Sequence, residues 1–129
     1  MEGQQYQSEI FATLQVQQPW YDDIARGNKT VEGRVGPYSK FQEYENKVVR
    51  ICCGMLELKA LVVSVRHYHD LASYIAAEGW SAIAPHTGSE ISAYQAYISV
   101  KRRDNAAMVF FGARIEAEGG MCALQLKLL

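Results

Sequence analysis

The stretch Gly27-Asn28-Lys29-Thr30-Val31-Glu32-Gly33-Arg34 sets a strand directly behind a helix, and the rest of the chain is read outward from it. From Lys29 onward polar and apolar residues alternate, which predicts a strand over residues 29–35. In an ideal strand Thr30 and Glu32 face one way, and Lys29, Val31 and Gly33 the other. Gly33 is a candidate bulge, which would let polar groups from the two faces converge. Just upstream, Pro19 suits the first turn of a helix, Asp22 and Asp23 suit its positive end, and Gly27 suits its close. A helix over residues 19–27 then carries Trp20, Ile24 and Tyr21 on one face.

Further out, residues 11–16 alternate as a half-buried strand, and residues 36–46 read as a polar loop bearing aromatic rings. Residues 48–53 and 56–65 are apolar runs separated by Gly54 and Met55, a hairpin whose second strand continues to Tyr68. Asp70 is placed to cap a helix that buries Leu71, Tyr74 and Ile75 and closes at Gly79. Ser89 is placed to cap another, with Ile91, Tyr94 and Ile98 as its apolar stripe and Lys101, Arg102 and Arg103 at its end. Residues 107–117 and 122–128 complete the pattern as a second hairpin around Gly119 and Gly120. This order implies an α+β fold, and strands so arranged close naturally as a partly open β-barrel with helices packed at its ends. Neither a glycine-rich dinucleotide loop after a strand nor a phosphate-binding GxxxxGK[ST] loop is present.

The 129 residues suit one domain, expected over residues 11–129 behind a flexible leader of residues 1–10. A 49% apolar and 21% charged composition is that of a globular protein. With a net charge of −1, contact with nucleic acid has to come from a local patch rather than from the whole-molecule field. The three cysteines, Cys52, Cys53 and Cys122, read as buried thiols of a reducing compartment. The first ten residues lack a secretory pattern, and no apolar run is long enough for a membrane span, so a cytoplasmic or nuclear protein is expected.

Chemistry concentrates at Lys29, Glu32 and Arg34, a flexible ammonium, a carboxylate and a planar fork of donors. Desolvation would lower the lysine pKa and the neighbouring acid would raise it, so Lys29 is open to binding an anion or acting as a base. A second cluster, Arg66, His67, Tyr68 and His69, has the residue types that stack on and hydrogen-bond an unpaired base. Tyr38, Lys40 and Phe41 follow the motif and suit a base and a phosphate, and Trp20 in the motif helix is a further stacking candidate. The His67/His69 pair has no third ligand nearby in sequence, so neither a metal nor another cofactor is expected.

The chain resembles the ASCH-domain family of the PUA-like superfamily. Gly27, Lys29, Glu32 and Arg34 match the family motif GxKxxExR in full, behind a Gln-Pro-aromatic entry at Gln18, Pro19 and Trp20. The strand and helix over residues 62–79, Pro85 followed by a helix with tyrosines, and the stretch over residues 107–117 extend the resemblance to roughly residues 11–117. The resemblance implies a barrel with a motif-lined cleft that holds RNA or a modified nucleoside or nucleobase, with Lys29, Glu32, Arg34, Tyr38, Lys40, Arg66, Tyr68 and Trp20 as binding candidates. A bacterial branch of the family hydrolyses the acetyl amide of N4-acetylcytidine. For such a nucleoside-directed hydrolase, or for a metal-independent ribonuclease, the catalytic candidates are Lys29, Glu32 and Glu78. Glu32 stands where that branch has a threonine.

Overall fold

The computed structural model describes residues 9–99 and 111–129. Among these residues five strands make one sheet: β1 (Ala12–Gln15), β2 (Val31–Val35), β3 (Val48–Cys53), β4 (Leu56–Tyr68) and β5 (Met121–Leu128), in the order β1-β3-β4-β5-β2. Among the described residues six helices accompany them: α1 (Trp20–Ala25), α2 (Tyr38–Phe41), α3 (Leu71–Glu78), α4 (Trp80–Ile83), α5 (Glu90–Ile98) and α6 (Phe111–Ala117). Short 3-10 turns cover Gln42–Tyr44 and Pro85–Thr87.

The sheet curls because β4 serves two partners. Its first half pairs with β3 from Leu56 to Leu61, and its second half pairs with β5 from Ala60 to Tyr68. A register irregularity between Val62 and Ser64 lets the long strand bend where it changes partner. β1 joins β3 in parallel, and every other pairing is antiparallel. The result is an α+β half-barrel whose two free edges are β1 and β2.

Each face of the sheet has its own core. Leu14, Val16, Val49, Ile51, Val62, Leu124 and Leu126 fill the concave side, where Tyr21 and Ile24 of α1 and Phe41 of α2 pack onto them. Val31, Met121 and Ala123 on the other side meet Leu71, Tyr74 and Ile75 of α3, Ile83 of α4, Ala93 and Tyr97 of α5 and Ile115 of α6. Trp20 packs against both cores, so α1 pins the junction between them. Asp70 and Ser89 cap α3 and α5 through side-chain oxygens that accept the Ser73 and Ser92 amides, as their sequence positions predict.

Several expectations are corrected. Phe111–Ala117 is a helix rather than a strand; its alanine, arginine and glutamate favour helix, and Ile115 alone meets the core among the residues whose side chains are described. Residues 107–110 lie outside the described residues, as do residues 1–8 of the expected leader and the basic run of residues 101–103. The helix after Ser89 ends at Ile98. It buries Ala93 and Tyr97, while Ile91 is 74% exposed and Tyr94 41%, so the stripe runs through a small residue and an aromatic that a count of aliphatic positions passes over. Gly33 is not a bulge, for β2 pairs with β5 without a break. The expected loop over residues 36–46 holds α2 and a 3-10 turn. Cys122 is buried, but Cys52 and Cys53 are only partly so, because β3 runs out toward its hairpin tip there.

Gly119 and Gly120 do not turn a hairpin; they break α6 and launch β5, with the Gly120 amide donating to the Ile115 carbonyl. Gly120 has φ +104°, and a Cβ on it would sit 2.3 Å from the Tyr68 carbonyl oxygen. Gly120→Ala is therefore expected to cost at least about 2 kcal/mol in urea unfolding, because strain and a backbone clash coincide. A loss below about 0.5 kcal/mol would show that the α6–β5 junction is not tightly fixed.

Candidate functional site

Lys29 precedes β2, so its side chain is free to fold along the strand edge instead of projecting from a face. Its backbone amide donates to the Asp23 carbonyl at 2.9 Å, which seats it at the end of α1. Its side chain is fully buried. The ammonium donates to the carbonyls of Val31 at 2.5 Å and Ile83 at 2.6 Å and lies 3.4 Å from Glu32 Oε1. Three hydrogens meet three oxygens, and a neutral amine would leave one unserved. Ile83 is the last residue of α4, so the ammonium also satisfies a carbonyl that the helix leaves without a partner. Burial pushes the Lys29 pKa below the usual lysine value, opposed by the charge and hydrogen bond of Glu32. The Trp20 ring covers the cation, with its centroid 5.3 Å from Nζ.

Glu32 passes the contact on. Its Oε2 accepts from Arg34 Nε at 3.2 Å and Nη2 at 3.0 Å, and Arg34 Nη2 also donates to the Gln15 carbonyl at 2.8 Å. Glu32 and Arg34 are two residues apart on β2 and share its concave face. Gln15 is the last residue of β1. Arg34 thus ties together the two edges that the sheet hydrogen bonds leave open. The Thr30 carbonyl and the Gly36 amide bond to Leu126 and Gly120. By the antiparallel alternation, Val31, Gly33 and Val35 therefore turn their backbone groups away from β5 toward the opening.

The opening is a cleft of about 1060 Å³. Gln15, Trp20, Glu32, Arg34, Lys40 and Tyr97 are among its lining residues, with the Phe41 and Tyr44 rings beside Lys40. Among the sequence candidates, Trp20, Glu32, Arg34 and Lys40 therefore meet here. Lys29 supports them from behind Trp20. Tyr38 is 42% exposed and does not line the cleft.

Arg66, Tyr68 and Glu78 form a separate cluster. Glu78 accepts from Arg66 Nε and Nη2, both at 2.7 Å, and from the Tyr68 hydroxyl at 2.5 Å. Arg66 also reaches Ser64 and Gln125, so the group fastens the end of α3 to β4 and β5. Burial pushes the Glu78 pKa up, and the Arg66 and Tyr68 hydrogen bonds outweigh it, leaving the carboxyl below its usual value. His67 Nε2 lies 2.6 Å from the Gly119 carbonyl oxygen, while His69 lies beyond the end of β4. Among the described residues no three histidine, cysteine or acidic side chains are gathered closely enough to hold a metal, and no helix is long and apolar enough to cross a membrane.

Two features escape the sequence reading. Tyr97 enters the cleft wall because the helix rotates Ala93 and Tyr97 inward, and their four-residue spacing was the available signal. His86 Nδ1 lies 2.6 Å from Asp23 Oδ2, and its ring meets Trp20 edge-on at 4.6 Å. Nothing in a turn histidine marks that pairing.

Residues 14–113 match the family model described as the ASCH domain. The crystal structure of hypothetical protein PH0355 is similar, with a TM-score of 0.69 at 19% identity, covering 92% of this chain and 98% of that one. The solution structure of protein PF0455 from Pyrococcus furiosus gives a TM-score of 0.58 at 20% identity, covering 91% and 96%. At these identities the likeness concerns the fold. Comparison with curated protein sequences gives no match.

Lys29→Met should destabilise the fold by about 3 kcal/mol in urea unfolding, since Glu32 loses a buried partner and two carbonyls lose their donor. A loss below about 1 kcal/mol would show that the ammonium is dispensable. On the acid side, Glu78 adds stability above its ordinary value of 4.5 that disappears as pH falls through its lowered folded value. Glu78→Gln should therefore flatten the stability profile below pH 4.5; an unchanged slope would contradict the pairing.

Proposed function

This chain belongs to the ASCH domain family, and on that premise we propose that the cleft between β1 and β2 binds RNA or a modified nucleoside, with one base seated against the motif. The observation that carries this reading is the meeting of Glu32 and Arg34 in the gap of a half-open barrel, beside aromatic rings. Arg34 commits Nε and Nη2 to Glu32 and Gln15, which leaves the two hydrogens of Nη1 for a ligand oxygen. Glu32 Oε2 is doubly used, whereas Oε1 receives Lys29 alone and keeps a site for an N–H of a base. Trp20 and Tyr44, both partly exposed, supply rings for stacking. Lys40 is exposed at the rim and suits a phosphate.

The same geometry supports binding over proton transfer by Lys29. All three ammonium hydrogens face protein oxygens, so the group supports the cleft without offering a free amine. Among the described residues, the charged side chains that line the cleft are two acids, Glu32 and Glu118, and two bases, Arg34 and Lys40. A lining so balanced suits a base with one flanking phosphate better than a long run of backbone.

Fluorescence anisotropy with a short single-stranded RNA tests this. Arg34→Ala should weaken binding by about tenfold or more, and Lys40→Ala by roughly three- to tenfold with no change in folding. One phosphate contact, that of Lys40, predicts a slope of log affinity against log salt of about −0.7. Affinity unchanged in both variants would place the binding surface elsewhere.

A further inference from the structure

Phe11 precedes β1, and its amide donates to the Val48 carbonyl at 2.8 Å, which extends the pairing with β3 by one residue. Phe11, Thr13 and Gln15 are exposed and alternate with Ala12, Leu14 and Val16, so they form one row along the strand. Thr13 and Gln15 line the cleft. Phe11 continues their row beyond it, roughly 13 Å from Gln15 at the usual rise of a strand. A single exposed ring is ordinary, but this one, 41% exposed, belongs to a set. The Phe11 and Tyr44 rings meet edge-on with centroids 5.1 Å apart, and Tyr44 meets Phe41 at 5.4 Å. Tyr44 and Phe41 line the cleft, so ring contacts run without a break from inside it to Phe11 outside.

An ammonium stands at each end of this run: Lys40 over the Phe41 ring at 5.5 Å, and Lys47 over the Phe11 ring at 5.9 Å. Both lysines are exposed, and neither is paired with a carboxylate among the described residues. Lys47 is also fixed at the main chain, its amide donating to the Tyr44 carbonyl and its carbonyl accepting from the Val62 amide. Glu43 and Glu45 flank Tyr44 in the chain and dilute the positive charge, so the rings outweigh the lysines. Rings for bases, with ammonium groups for the phosphates between them, are what a single-stranded nucleic acid uses. A free nucleoside confined to the cleft touches neither Phe11 nor Lys47.

We propose that Phe11 and Lys47 form a second nucleotide subsite, and that the cleft takes its base from within a single-stranded RNA rather than as a free nucleoside. The seated base lies by Arg34 and Glu32, and the next base along the strand packs on the exposed part of the Phe11 ring. Lys40 and Lys47 each hold one phosphate. This inference rests on the reading of the cleft as a base-binding site and names the class of ligand it takes.

Calorimetric titration of the full chain with homopolymeric hexaribonucleotides and with the matching nucleosides tests the assignment. The hexanucleotide of the preferred base should bind at least about tenfold more tightly than its nucleoside. Phe11→Leu keeps an apolar side chain against Tyr44 but removes the aromatic face. It should weaken the hexanucleotide by about fivefold or more and leave the nucleoside unchanged, and Phe11→Trp should restore the loss. For an RNA long enough to reach it, Lys47 adds a second phosphate contact. Lys47→Ala should therefore lower the slope of log affinity against log salt for the hexanucleotide from about −1.4 to about −0.7. Equal affinity for hexanucleotide and nucleoside, or hexanucleotide binding unmoved by both Phe11→Leu and Lys47→Ala, overturns the proposal. If Arg34→Ala still weakens nucleoside binding in that case, the cleft reading stands. A patch that joins two copies of the chain, seen as sedimentation that quickens with concentration in the wild type and not in Phe11→Leu, overturns the proposal as well. Arg34→Ala without effect on either ligand overturns the cleft reading and this inference together.

Discussion

A single ammonium, buried and enclosed by three oxygens, organises this molecule. Removing a lysine charge from water costs several kcal/mol unless the surroundings replace its hydration. Here each replacement belongs to a different part of the structure: the Ile83 carbonyl to the end of α4, the Val31 carbonyl to the free edge of β2, and the Glu32 carboxylate to its concave face. Meeting the needs of Lys29 therefore fixes the helix, the strand and the acid relative to one another. Glu32 then orients Arg34, and Arg34 reaches Gln15 across the gap. A continuous polar chain runs from α4 to β1 where no ladder of backbone hydrogen bonds exists.

That chain explains why the opening is a cleft and not simply a splayed sheet. The strand order leaves β1 and β2 as edges, and unpaired edges are liabilities that proteins usually cover or blunt. In this half-barrel the edges are held at a set separation by one guanidinium, with Trp20 joining the two cores beneath them. The groups left over after the chain is satisfied, Arg34 Nη1 and one acceptor site on Glu32, belong to residues that line the cleft. On the proposed reading, structural and recognition roles are divided within one motif: Lys29 supports, and Arg34 and Glu32 present.

Much of this was legible in the sequence because it is local. Alternation marked β1 and β2, the Gly54 and Met55 pair marked the β3–β4 hairpin, and Asp70 and Ser89 marked two helix starts through oxygens that reach amides three residues on. The motif itself named Lys29, Glu32 and Arg34. What was illegible depends on partners distant in sequence. Ile83 lies 54 residues from Lys29 and Gln15 lies 19 from Arg34, so no spacing rule announces either contact. Glu78 looked like a candidate for the cleft, but its partner Arg66 sits across from it on β4. Phe111–Ala117 shows the opposite failure, in which aromatic and branched residues just upstream imitate a strand and local helix propensity decides otherwise.

The hydrogens of Lys29 Nζ are the most direct witnesses to the central claim. Nitrogen-15 NMR of the side-chain ammonium groups near neutral pH should show one lysine whose three hydrogens exchange slowly with water, with through-bond couplings to the Val31 and Ile83 carbonyl carbons. A Lys29 signal that exchanges as fast as those of surface lysines, or that shows a neutral amine without these couplings, would contradict it.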